Sequence, residues 1–149
     1  MSMASERIDD GFSTTIAFAA LASGTSLLFW EKEVTPPGVQ GGGENDTTTM
    51  RNSVWRTKAP KQLKTMSPMS FVASYDPSVY DQILTLIQVN TQITVTFADG
   101  STLVFWGWLD EFTPGPSTEG EQPTATCTII PSNQNSSKVE TAPVLTPAA

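Results

Sequence analysis

Neighbouring acids are the residues of this sequence whose types come nearest to catalysis. They pair at Asp9-Asp10, Glu31/Glu33 and Asp110-Glu111. Two carboxylates facing each other across a cleft hydrolyse glycosides, one as acid and the other as base or nucleophile. Acids adjacent on an exposed strand end enclose no cleft, and such ends are an ordinary place for them. Histidine is absent, which removes the commonest general base and the commonest metal ligand together. The one cysteine, Cys127, lies in an alternating segment with no histidine to activate it and reads as core packing. It permits neither an intrachain disulfide nor a thiolate cluster, and it fits a reducing compartment. Gly41-Gly42-Gly43 lacks the Lys-Ser/Thr that completes a phosphate loop. No Asp-x-Asp-x-Asp-Gly calcium loop occurs. The expectation is a protein that is not an enzyme and holds no cofactor or metal.

Charge carries more information. The 149 residues have a net charge of −7. Five of the eight basic residues, Arg51, Arg56, Lys58, Lys61 and Lys64, fall within residues 38–66, alongside Glu44 and Asp46. That segment is therefore +3. The remainder, with three basic and thirteen acidic residues, is −10. No period of 2 or 3.6 survives in 38–66, and a loop this long inside a compact domain is usually functional or disordered. It contains Met50, Trp55 and Met66, so it has apolar surface to bury. A cationic arm on an anionic body complements a second copy of itself, and such complementarity sets register more than affinity. The two surfaces differ, so contacts of this kind close into rings or run on as filaments. Trp55 among Arg51, Arg56 and Lys58 has the composition of an interface anchor. The weaker alternatives are a solvated basic loop and a nucleic-acid contact, the latter opposed by the acidic body.

The elements around the arm read as mainly β. Residues 12–22 and 26–34 form strands, followed after the arm by a strand over 67–76. Asp76 and Pro77 suit a helix start, and Val79, Tyr80, Ile83, Leu84, Leu86 and Ile87 make the apolar stripe of a flanking helix over 77–89. Ile93, Val95 and Phe97 alternate with polar residues up to a tight turn at Asp99-Gly100. The return strand over 101–109 is apolar on both faces, which predicts cover on both sides. A last strand spans 124–130. Phe29, Trp30, Phe105, Trp106 and Trp108 are expected in the core. The fold class is a two-sheet sandwich or barrel with one flanking α-helix and a long extended loop. One domain spans 1–131, and 132–149 is a low-complexity C-terminal tail. The polar, acidic start resembles no signal peptide, and Ile16–Ala22 is too short to span a bilayer, so no membrane partner is expected.

Several runs, in this order, resemble the tail tube (major tail) proteins of long-tailed bacteriophages. They are Glu-Val-Thr-Pro-Pro-Gly-Val (33–39), Gly-Gly-Gly-Glu-Asn-Asp-Thr-Thr-Thr-Met-Arg-Asn (41–52) and Trp-Arg-Thr-Lys-Ala-Pro-Lys-Gln-Leu-Lys-Thr (55–65). Phe-Ala-Asp-Gly-Ser-Thr (97–102), Phe-Trp-Gly-Trp-Leu (105–109) and Thr-Ile-Ile-Pro-Ser-Asn (128–133) continue the likeness. The resemblance implies a virion structural protein forming homohexameric rings that stack into a tube, with the 38–66 loop reaching the adjacent ring. The expected inter-ring contacts are Arg51, Trp55, Arg56, Lys58, Lys61 and Lys64. Double-stranded DNA would pass through the lumen without specific binding, after a tape measure protein had occupied it during assembly. Tail terminator and distal tail proteins would cap the ends, with assembly in the host cytoplasm. An anionic wall repels phosphates, which makes Asp9, Asp10, Glu31, Glu33, Asp110 and Glu111 the lumen-facing candidates. The threonine face of 124–128 is an uncharged alternative wall. Rival readings are a tail terminator, completion or head-tail joining protein, a capsid-decorating carbohydrate-binding β-sandwich, and a hydrolase using Asp110 or Glu111.

Overall fold

The computed structural model describes residues 12–19, 29–75, 77 and 80–147. Seven antiparallel strands form the body: β1 (Thr15–Phe18), β2 (Glu31–Thr35), β7 (Met69–Ser74), β8 (Thr91–Thr96), β9 (Thr102–Pro114), β10 (Thr124–Pro131) and β11 (Val144–Thr146). Between β2 and β7 the chain makes β3 (Val39–Gly41), β4 (Glu44–Asp46), β5 (Lys58–Pro60) and β6 (Lys64–Met66). Helix α1 (Tyr80–Leu86) lies between β7 and β8.

The described residues are mainly β with a single helix, as the sequence predicts, but the two layers belong to one continuous sheet. The strand order is β1-β8-β9-β10-β7-β2, and β11 pairs with the first part of β9, in line with β10. Thirteen-residue β9 serves both halves, pairing with β8 over its first half and with β10 over its second. A bulge opposite the Thr128/Ile129 step leaves Asp110 without a Cα partner. Bulges of this kind bend a strand and sharpen its twist. The sheet rolls until its edges meet, where the Ile16 N–H donates to the Glu31 carboxylate at 2.9 Å.

Alternation explains the core. Ile16 and Phe18, Ile93 and Val95, Phe105 and Leu109, Cys127 and Ile129, and Met69, Phe71 and Ala73 all point inward and are buried. Phe29 stacks edge-on against both Phe18 and Phe71. Helix α1 adds Ile83 and Leu86. The helix ends before the expected residue 89, because Ile87 bridges to Leu109 and Gln88 turns to φ 65°. Asp76 and Val79 lie outside the described residues.

The expected aromatic core is half right. With Phe105 inside, the period of two sends Trp106 and Trp108 to the outer face, where they are half-buried. Trp30 is 80% exposed. Between the two tryptophans sits Gly107, where a Cβ would come within 2.6 Å of the Ile130 carbonyl. Only glycine admits that approach of β9 to β10. The C-terminal segment is stitched to the body: Asn90 donates to the Gln134 carbonyl, the Ser132 hydroxyl donates to Asn90, and β11 adds its ladder to β9.

Candidate functional site

The 38–66 segment is not a structureless loop. It is a β-ribbon in two short ladders, β3 with β6 and β4 with β5. The Lys61 N–H to Gly43 carbonyl bond carries the pairing across the step between them. Residues 61–63 oppose Gly42-Gly43, and that surplus on one side breaks the ladder. Gly43 takes φ 91°, the left-handed region. Three-residue strands rich in Gly, Lys, Glu and Pro carry no apolar alternation, which is why the sequence shows no period here. Most of the ribbon is exposed, and Met66, at its base, enters the core.

Polar bonds hold the ribbon. Lys58 pairs with Glu44 at 2.7 Å diagonally across the β4/β5 ladder, and Arg56, just before β5, pairs with Asp46 at 3.2 Å. Bonds from Thr48 keep the Asp46 carboxyl below its usual range, and Arg56 adds to the effect. At the tip, Asn52 is the hub. Its side-chain oxygen accepts from the Thr49 N–H and hydroxyl, and its amide donates to the Trp55 carbonyl at 2.8 Å. Thr47 and Thr57 join by backbone and hydroxyls, and the Thr57 N–H donates to the Thr48 hydroxyl. This frame projects Met50 (103% exposed), Val54 (80%) and Trp55 (82%) into solvent. The bonds fix the backbone beneath these apolar side chains, which lowers the ordering cost of any contact they make.

The six cationic and aromatic residues expected to act together are thus divided by the structure. Arg51 and Trp55 stand at the tip, Arg56 and Lys58 are partly neutralised within the ribbon, and Lys61 and Lys64 lie towards its base. Among the described residues, Arg51, Lys61 and Lys64 form no ion pair.

The acidic candidates separate as well. Asp9 and Asp10 lie outside the described residues. Glu31 is half-buried at the seam and committed to the Ile16 N–H. A register shift at Lys32 turns Glu33 the other way, onto the exposed outer face. Asp110 occupies the bulge and Glu111 accepts from the Thr113 hydroxyl at 2.8 Å, both exposed. Around Glu33 and Glu111 the outer face reads Ser70 and Ser74 on β7, Thr94 and Thr96 on β8, and Thr124, Thr126 and Thr128 on β10. Among the described strands of the body, Lys32 is the one basic residue, against Glu31, Glu33, Asp110 and Glu111. Sequence reading singled out these acids and left three basic residues outside the arm; strand assignment puts one of the three, Lys32, on the sheet. Among the described residues no group of acids, Cys127 included, is arranged to hold a metal. Burial pushes the Cys127 thiol up to about 12.

No family model matches the chain, and no curated protein matches it. Solved structures do. A chain of the anti-feeding prophage baseplate aligns over 97% of both chains with a TM-score of 0.67 and 7% identity. A chain from the tail of an empty gene transfer agent particle, computed with C6 symmetry, covers 94% of this chain and 100% of its own, with a TM-score of 0.60 and 11% identity. A chain of the native gene transfer agent virion gives 0.57 at 10% identity, again over 94% and 100%. At such identities the likeness is one of fold. The rolled sheet and arm of this chain have the architecture of subunits found in phage-like tail and baseplate particles.

Proposed function

We propose that this chain is a structural subunit of a phage-like tail, whose copies form hexameric rings that stack into a tube for double-stranded DNA. One observation carries the reading: a bonded ribbon stands off a β body and presents Met50, Val54 and Trp55 to solvent, where no described residue covers them. Contiguous exposed apolar surface of this kind marks an interaction site. The neighbours in fold come from multi-subunit tail and baseplate particles, which supports a place in the virion and assembly with other tail proteins. The arm, with Arg51, Trp55, Arg56, Lys58, Lys61 and Lys64, reaches the adjacent ring. The outer sheet face, with its hydroxyls and with Glu33, Asp110 and Glu111, forms the lumen wall. Phosphate contacts need Lys and Arg, and a wall poor in both lets DNA slide. The lumen holds a tape measure protein during assembly, and terminator and distal tail proteins close the ends.

Electron microscopy of the purified chain, alone and with its tail partners, tests this. Long tubes with six-fold cross-sections are expected, and a chain that stays monomeric in both conditions overturns the reading. The baseplate match favours one second reading, a subunit of a single ring at the end of a tail. Rings that do not stack would establish it.

A further inference from the structure

Resting on the tube reading, we infer that the arm tip of one copy docks on the exposed face of α1 and the adjoining β9–β10 hairpin loop of the next copy. Three observations point there. The first is topology. The ribbon leaves the sheet at the Met69 end of β7, whose partner Thr35 closes β2 opposite Ser70. The β9–β10 loop lies at the other end of β7, where Ser74 pairs with Thr124, and α1 follows β7 from that same end. A tip at one end and an acceptor at the other generate head-to-tail stacking from a single contact.

The second is shape and polarity. Helix α1 exposes Tyr80 and Leu84. The Tyr80 ring packs on Phe112 at 5.9 Å, so the helix face and the base of the hairpin loop form one surface. Met50, Val54 and Trp55 at the tip are apolar counterparts for it. The third is charge. Arg51 at the tip has no ion pair among the described residues. Asp81 on α1 and Glu119 and Glu121 in the loop are exposed acids. The groove at the β1/β2 seam, about 830 Å³ and flanked by Trp30, is the competing acceptor. Its lining sets Lys32, a like charge for Arg51, between Glu31 and Glu33, whereas α1 and the 115–123 loop carry no basic residue.

Disulfide trapping tests the contact in the full chain, with buried Cys127 leaving a clean background. Val54→Cys with Leu84→Cys in one chain should give a ladder of linked oligomers under mild oxidation, while a mixture of the two single variants should stop at dimers. Arg51→Glu should raise the concentration needed for assembly by about tenfold or more, equivalent to 1.4 kcal/mol. Asp81→Arg in the partner copy should restore mixed assembly. Tubes that form while Val54→Cys links to Lys32→Cys at the seam, or to neither position, overturn this docking surface and leave the tube reading standing. A chain that never associates overturns both.

Discussion

In β7, Met69, Phe71 and Ala73 are buried against rings and aliphatic side chains from across the rolled sheet. In β5, a few residues earlier, Lys58 and Pro60 stand in solvent, and the strand is held by ladder bonds and the Lys58–Glu44 ion pair. The two strands share a backbone conformation and little else. Burial of apolar area stabilises the first at roughly 25 cal/mol per Å². The second relies on exposed polar contacts, each worth about 1 kcal/mol or less. The body is therefore a cooperative unit, while the arm can be altered without unfolding it. On the stacking proposal, that division suits a subunit that keeps its shape while its arm finds a neighbour.

The largest effect belongs to the body. Phe71→Ala removes a buried ring that touches Phe29, and the loss should be about 3–5 kcal/mol, read as a lower denaturation midpoint. Gly107→Ala forces a Cβ against the Ile130 carbonyl and should cost about 1–3 kcal/mol by the same measurement. If either leaves the midpoint unchanged, the rolled sheet is not the source of stability. Trp55→Ala should do the reverse. Its exposed side chain contributes less than about 0.5 kcal/mol to folding, but on the stacking proposal its loss weakens assembly by about 2 kcal/mol. The critical concentration would rise about thirtyfold at an unchanged melting temperature. Asn52→Ala probes the frame rather than the anchor. It removes the bonds to Thr49 and the Trp55 carbonyl, and assembly should weaken by about 1 kcal/mol, roughly fivefold. A Trp55→Ala variant that assembles normally would show that the arm tip is not the contact.

How much of this was legible beforehand also divides along the same line. Alternation over Ile93, Val95 and Phe97, and the Asp99-Gly100 turn, announced β8 and its return strand because burial on one face imposes a period of two. The rolled sheet was partly hidden. The bulge at Asp110 and the register shift at Lys32 each move a side chain to a different face, and neither leaves a mark in local composition. That is why Glu31 and Glu33, read as one pair, have separate fates. The arm was visible as charge and length, but its ribbon was not. Glu44–Lys58 and Asp46–Arg56 become pairs only when the register of β4 and β5 is known, fourteen and ten residues apart in sequence.

The smallest effect separates the two regions by pH alone. Asp46 is held below its ordinary value of 3.8 by Thr48, with Arg56 assisting. A carboxyl whose folded pKa is depressed contributes stability that is fully present above its unfolded pKa and is lost as pH falls through the folded value. The contribution therefore persists at neutral pH and disappears below about 3.8, the range in which Asp46 takes up its proton. The Thr48 and Thr57 amides, which bond within this part of the arm, should then exchange faster with solvent, while those of Phe71 and Cys127 remain protected. Asp46→Asn should remove that acid dependence of the arm and leave the body's amides unchanged at every pH. Loss of protection at the tip and in β7 at one common pH would show that arm and body unfold together, and the independence argued from their opposite means of support would be wrong.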